Sequence, residues 1–186
     1  MSALASAEPV LAVLQSPTGQ VHVLGVDCRH QDKAKIVAPA PLPTISRRAL
    51  SRVTHRIDPP TRCHCCSGPV RLVSNGDIYA GKTHGKWPYV YLCGFCGAYV
   101  GLHPLTDLPL GLMATRPTID ARRSAKTAFK NVVRIKFIGD RGAGYAWLAA
   151  ELGVSEAACH FAMMSAQQAL SAEAACRALL KVDPNV

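Results

Sequence analysis

The chain has 186 residues, enough for one compact domain or for a small metal-bound module with a helical segment, but too few for two large cores. Hydrophobic residues make up 49% of the chain and aromatic residues only 6%, so most apolar side chains are small and bury little area each. No apolar run of about 18 residues occurs, which excludes a transmembrane helix, and the first twenty residues do not resemble a signal peptide. We therefore expect a cytoplasmic protein that contacts no membrane. The formal net charge of +9 favours a polyanionic partner.

The first third of the chain predicts a β-hairpin followed by a linker. In residues 1–29, two short apolar strands over 10–14 and 21–26 flank a Ser-Pro-Thr-Gly turn. Residues 30–62 contain five prolines, many arginines and few large apolar side chains. This composition predicts a basic, Pro-rich linker with one short helix over 44–54.

The rest of the chain changes from strand to helix periodicity, so the predicted fold class is α+β. Residues 63–115 contain short β-segments between turns, over 70–73, 78–80, 90–92 and 98–102. Residues 116–186 predict a helical segment, in which Thr118 caps a first helix with Ala125, Phe129, Val132 and Val133 on one side. The predicted helices span 118–136, 145–152, 156–164 and 171–181.

Two Cys-x-x-Cys motifs predict a metal site in the β-rich module. Cys63 and Cys66 form the first motif, and Cys93 and Cys96 form the second. A two-residue gap lets both sulfurs of a tight turn reach one ion, and two such turns complete a tetrahedron around Zn²⁺. A disulfide or a redox pair needs only one motif, and the βαβ context of a redox motif is missing. We therefore predict a zinc ribbon with a closed, structural site and no enzymatic activity.

The first motif leaves some ligand choices open. Cys65 lies between its two cysteines and could replace either one. His64 or His84 could supply the fourth ligand if one sulfur does not take part.

Several segments around these motifs resemble a family of small zinc-finger-containing domains of unknown function that is found in bacteria and their phages. The resemblance covers roughly residues 63–180 and implies a bound zinc ion in a phage or prophage accessory protein. The segments that carry it are 63–68, 78–81, 91–101, 107–111 and 145–149, together with His103, Leu152, Gly153, Cys159 and His160.

Basic residues predict a nucleic-acid-binding surface. On the predicted helix over 118–136, four cations recur every four residues, opposite the apolar side, and a second basic run lies in the linker. Such stripes neutralise backbone phosphates and bind independently of the base sequence. The predicted contacts are Arg122, Lys126, Lys130 and Arg134 on the helix, and Arg47, Arg48 and Arg52 in the linker. Ribbon aromatics beside further cations could stack on unpaired bases, or they could form the core of the ribbon. They are Tyr89, Tyr91, Phe95 and Tyr99.

Three other interpretations compete with nucleic-acid binding. The helical stripe could be an ordinary solvated helix face. The protein could also be an adaptor or inhibitor that binds a host protein, with a purely structural zinc ion. An enzyme that uses His84 and His103 is a weaker third hypothesis.

Overall fold

The computed structural model describes residues 12–15, 21–24 and 27–181, and its elements confirm an α+β protein. Within these ranges, short β-strands come first in the chain and long helices come last. The chain forms two compact units, which divide between Met113 and Ala114. No helix in the described ranges has both the length and the apolar character that a membrane span requires.

Two short strands form the N-terminal hairpin. Strand β1 (Ala12–Gln15) pairs antiparallel with strand β2 (Val21–Leu24), and Ala12 lies opposite Leu24. The predicted strand pairing is confirmed. The predicted turn over 16–19 lies outside the described residues, as do the outer ends of both predicted strands.

The segment predicted as a linker contributes to the core of the first unit. Helix α1 (Arg47–Leu50) lies inside the predicted helix over 44–54, and the Ser46 hydroxyl caps it by accepting the Ala49 N–H at 3.3 Å. Leu50 and Ile57 are fully buried, and Val53 nearly so. The structure differs here from the prediction because these few apolar residues all face inward, which a composition dominated by proline and arginine conceals.

The first unit contains an antiparallel sheet of three strands. These are β3 (Val70–Ser74), β4 (Tyr89–Cys93) and β5 (Tyr99–Gly101), with β4 in the centre. The strands predicted over 70–73, 90–92 and 98–102 are confirmed with small shifts. In the register, Val70 lies opposite Cys93, so the turn that precedes β3 meets the turn that follows β4. The sheet therefore brings both Cys-x-x-Cys motifs to one end.

The strand predicted over 78–80 is wrong. The chain forms a 3₁₀ turn over Asn75–Asp77 and then reverses through Ala80 and Gly81, which have φ angles of 51° and 84°. The Asn75 side chain closes the loop, because its amide donates to the His84 carbonyl at 2.8 Å and accepts the His84 N–H at 3.1 Å. Side-chain hydrogen bonds of this kind compete with strand pairing in loops.

Three long helices form the second unit. They are α2 (Arg116–Lys136), α3 (Arg141–Leu152) and α4 (Ala166–Lys181). The predicted apolar side of the first helix is confirmed, since Ala125, Phe129, Val132 and Val133 are buried in one cluster with residues of α3 and α4.

The helix boundaries differ from the predicted ones because of capping residues. Helix α2 begins before Thr118, with Thr115 as its N-cap residue and a proline in its first turn. Helix α3 begins at Arg141 because the Asp140 carboxylate accepts the Ala143 N–H at 3.1 Å. Helix α4 begins five residues earlier than predicted. Ser165 and Gln168 form a capping box, in which each side chain accepts the backbone N–H of the other.

The helix predicted over 156–164 is wrong. Only Glu156–Ala158 is helical, as a single 3₁₀ turn. Cys159 and Phe161 are both buried in the same cluster. Two residues that are two positions apart point to nearly opposite sides of an α-helix, so a continuous helix could not bury both.

Candidate metal centre and basic surfaces

Four cysteine sulfurs converge at the end of the three-stranded sheet. The Sγ atoms of Cys63, Cys66, Cys93 and Cys96 all lie within 4.8 Å of one another. Cys63 and Cys96 have their sulfurs 3.6 Å apart, and Cys66 and Cys93 have theirs 3.5 Å apart. Four sulfurs placed tetrahedrally at about 2.3 Å from Zn²⁺ would be separated by about 3.8 Å. The cluster therefore has the size and the donor set of a structural zinc site, as the spacing predicts.

The two Cys-x-x-Cys turns share one backbone shape. In each turn, the N–H of the first cysteine donates to the carbonyl five residues later, at 2.9 Å in the first turn and 2.8 Å in the second. The residue before that carbonyl group has a positive φ, 57° at Ser67 and 68° at Gly97. The turns are thus equivalent, and each directs both of its sulfurs toward the same point.

Backbone N–H groups stabilise negative charge on the sulfurs. The N–H of Cys65 donates to Cys63 Sγ at 3.3 Å, and the N–H of Phe95 donates to Cys93 Sγ at 3.4 Å. Burial raises the pKa of Cys63 to about 11 and that of Cys96 to about 12. At Cys93 burial acts in the same direction, but backbone N–H donors, together with hydrogen bonds from the Cys66 and Cys96 thiols, outweigh it and lower the pKa to about 7. Zinc binds thiolates, so N–H donors favour the ligating form.

The alternative ligands have other roles. The Cys65 thiol donates to the Met113 carbonyl at 3.5 Å, and the buried His64 ring accepts the Met113 N–H at its Nδ1 atom at 2.9 Å. The His84 ring packs edge-on against Tyr79, with ring centroids 4.9 Å apart. Among the described residues, none of these three side chains joins the four-sulfur cluster.

The equivalent positions in the two turns allow a matched test of backbone shape. We expect Gly97→Ala to destabilise the zinc-bound unit by about 1 kcal/mol, because a Cβ is disfavoured at positive φ. Ser67→Ala is the control. Serine and alanine both carry a Cβ, so this change adds no strain at the positive φ of position 67, and the expected loss of stability is below about 0.5 kcal/mol. The stability of both variants is measured by urea denaturation, in which transfer of zinc to a coloured chelator reports unfolding. Equal urea midpoints for Gly97→Ala and Ser67→Ala would contradict the backbone shape assigned to the second turn.

The first unit also contains a buried ion network that sequence reasoning missed. The Arg29 guanidinium contacts the Asp27 carboxylate at 2.6 Å and the Asp107 carboxylate at 2.8 Å. The carboxylate side chains are 0% and 7% exposed. The Tyr91 hydroxyl donates to the Asp107 carbonyl at 2.8 Å, which connects the network to β4 of the ribbon.

The network lowers the pKa of one buried carboxyl group. Burial alone would raise the pKa of Asp27, but hydrogen bonds from the side chain and backbone of Arg29 outweigh it and hold the pKa below its ordinary value. Arg29 and Asp107 are separated by 78 residues, so no local sequence pattern indicates their contact.

The cations predicted on α2 have different environments. Lys126, Lys130 and Arg134 are exposed, whereas Arg122 is half-buried. The Arg122 Nε donates to the Met164 carbonyl at 2.7 Å, so this side chain holds a loop within the second unit. The stripe that faces solvent therefore consists of three residues.

The cations predicted in the segment 30–62 also differ from one another. The Arg47 Nε donates to the Asp32 carbonyl at 2.8 Å, and its terminal nitrogen donates to the Ala34 carbonyl. Arg48 and Arg52 are exposed. These residues belong to the first unit, whereas α2 belongs to the second.

Most of the ribbon aromatics are not free to stack on bases. Tyr91 is buried, Tyr99 is half-buried, and the half-buried Tyr89 packs against a tryptophan. Phe95 alone among the four is exposed, at 78%, on the turn that holds Cys93 and Cys96. Its ring lies over Gly68 in the other turn, where an added Cβ would be 2.8 Å from the ring.

The small sheet, the paired Cys-x-x-Cys turns and the four-sulfur cluster define a zinc-binding α+β protein of the zinc-finger class. A family model described as a zinc-finger-containing domain matches residues 59–179, which is more than half of the chain. The protein belongs to that family, as its resemblance in sequence indicates. No curated protein and no solved structure matches the chain.

Proposed function

We propose that the protein binds nucleic acid, or a complex that handles nucleic acid, through the exposed cations of α2, while the zinc ion serves only to stabilise the fold. Four protein ligands leave no open coordination position that could activate water. We accordingly propose a binding protein of the cytoplasm, encoded by a phage or prophage, rather than an enzyme.

The observation that supports this proposal is the contrast between two groups of cations. Within the described residues, no ion pair or hydrogen bond holds the side chains of Lys126, Lys130 or Arg134. By contrast, Arg116 and Arg123 on the same helix pair with one carboxylate at 3.0 and 3.2 Å. Four residues of helix advance the chain by about 6 Å and turn it by about 40° beyond a full turn, so the three unpaired cations form a slightly inclined row on one face. Such a row suits the regularly spaced phosphates of a nucleic acid.

The row is tested by comparing two triple variants. We expect Lys126→Ala/Lys130→Ala/Arg134→Ala to weaken binding to DNA or RNA at low salt and to reduce the slope of log K against log salt by about 2–3. Arg116→Ala/Arg123→Ala/Arg177→Ala is the control, since it removes the same charge from the same unit. All three of its arginines are ion-paired, so it is expected to retain most of the slope. Fluorescence anisotropy at several salt concentrations measures both.

Two results would contradict the proposal. A wild-type protein that does not bind DNA or RNA at low salt would contradict nucleic-acid binding and favour the alternative function, an adaptor or inhibitor that binds a host protein. Equal loss of binding in the two triple variants would indicate a general charge effect and would contradict the row on α2 as the binding surface.

A further inference from the structure

A groove in the second unit lies between α2 and the first turns of α3. It encloses about 120 Å³. Its lining combines three apolar or aromatic side chains with three cationic ones and includes no carboxylate. The lining residues are Phe129, Val133, Tyr145, Lys126, Lys130 and Arg141.

The floor of the groove depends on a close approach of the two helices. A Cβ added to Gly144 would lie 2.7 Å from the Val133 side chain and 3.3 Å from the Phe129 ring, so only glycine allows this contact. The next residue, Tyr145, packs its ring against Phe129 with centroids 4.7 Å apart. Tyr145 is only half-buried, so part of its ring borders the groove.

The size and charge of the groove select its occupant. Pockets that enclose a whole drug-sized ligand begin at about 300 Å³, so this groove accepts one flat ring rather than an entire nucleotide. Lys126, Lys130 and Arg141 are exposed cations at its edges. An apolar floor with an aromatic ring and a cationic rim matches one base with the phosphates on either side of it.

We propose that the groove binds one unpaired base of a single-stranded nucleic acid, with the neighbouring phosphates on Lys126, Lys130 and Arg141. This inference rests on the proposed function and adds to it a preference for single strands. A base in a duplex is stacked and paired, and moving it into a pocket costs a few kcal/mol. Duplexes therefore contact only the cations of α2, whereas single strands also contact the floor.

The test compares a 12-nucleotide single strand with a 12-base-pair duplex. We expect the wild-type protein to bind the single strand about ten-fold more tightly, as stacking of one base predicts. Tyr145→Ala should abolish this preference and leave duplex binding unchanged, while Tyr145→Phe retains the ring and the preference. Circular dichroism establishes that each variant is folded.

A second measurement uses the wild-type protein and does not depend on a variant. A single strand that carries 5-iodouracil is cross-linked by ultraviolet light, and mass spectrometry locates the attached residue. Attachment at Tyr145 supports the inference, and attachment confined to residues outside the groove overturns it.

The outcomes separate this inference from the proposed function. The wild-type protein could bind the single strand and the duplex with equal affinity, and Lys126→Ala/Lys130→Ala/Arg134→Ala could lose binding to both. That result would overturn base binding in the groove and leave nucleic-acid binding intact. No binding of either nucleic acid would overturn both proposals. Displacement of the labelled single strand by the acidic peptide (Glu-Leu)₆ at lower concentrations than by the same strand unlabelled would also overturn the base-binding groove, in favour of a protein partner.

Discussion

Cys93→Ser is expected to abolish stoichiometric zinc binding and to unfold the ribbon. Cys93 is 2% exposed and connects β4 to the metal site, so the variant lacks one of the four ligands. Without Zn²⁺ to neutralise them, the three remaining thiolates repel one another at this short distance. Structural zinc sites in small fingers contribute about 10–16 kcal/mol at pH 7, which is comparable to the whole stability of a domain. The measurements are zinc content by mass spectrometry and the near-ultraviolet circular dichroism of the purified protein.

Cys65→Ser is the matched control, because it makes the same atomic change next to the same site. Cys65 lies outside the four-sulfur cluster, and a serine hydroxyl can still donate to the Met113 carbonyl. This variant is therefore expected to keep about one equivalent of zinc. Loss of zinc from Cys65→Ser, with retention in Cys93→Ser, would show that the wrong sulfurs have been assigned.

Arg29→Met is expected to destabilise the first unit by about 3 kcal/mol, because it removes the cation that hydrogen-bonds two buried carboxylates. This is the lower end of the usual range for breaking a buried pair, and it applies because 35% of the Arg29 side chain is exposed to solvent. Arg48→Met is the control, since Arg48 is an exposed arginine of the same unit and its loss is expected to change stability by less than about 0.5 kcal/mol. Urea denaturation followed by Trp87 fluorescence in a Trp147→Phe background measures the first unit.

The destabilisation should depend on pH in a defined direction. The pKa of Asp27 is lowered in the folded protein, so its ion pair stabilises the fold at pH values above the ordinary carboxyl pKa of about 3.9. That contribution is lost as the pH falls through the lowered pKa. In Arg29→Met, the hydrogen bonds that offset burial of Asp27 are lost and only the weaker attraction of Arg56 remains, so this carboxyl should take up a proton at a higher pH. The difference in free energy of unfolding between wild type and variant should therefore shrink between pH 8 and pH 4, and a difference that grows toward pH 4 would contradict the network.

The metal site is the part of the structure that the sequence predicts best. Spacing indicates the two motifs, although it leaves Cys65 as an alternative ligand in the first one. The geometry of a Cys-x-x-Cys turn is local, and only one long-range pairing, Val70 with Cys93, is needed to bring the two turns together. The apolar side of α2 is predictable for a similar reason, since its periodicity is contained in one helix. Capping signals were also present in the sequence, and the Ser165 and Gln168 pair marks the true start of α4.

Features that depend on distant contacts could not be predicted. Arg122 follows the four-residue period of the basic stripe, yet a carbonyl 42 residues away accepts its hydrogen bond. Leu50 lies between charged and polar neighbours, and only its packing with Leu108 shows that it belongs to the core. The Ser155 and Glu156 start signal predicts a helix over 156–164, but burial of both Cys159 and Phe161 against the same cluster requires the chain to leave the helix.

Metal analysis combined with X-ray absorption spectroscopy tests the zinc centre most directly. Protein purified without added metal should contain about one zinc ion per chain, with a first shell of four sulfurs at about 2.3 Å. A zinc content below about half an equivalent, or a shell that includes nitrogen or oxygen, would contradict a site formed by Cys63, Cys66, Cys93 and Cys96.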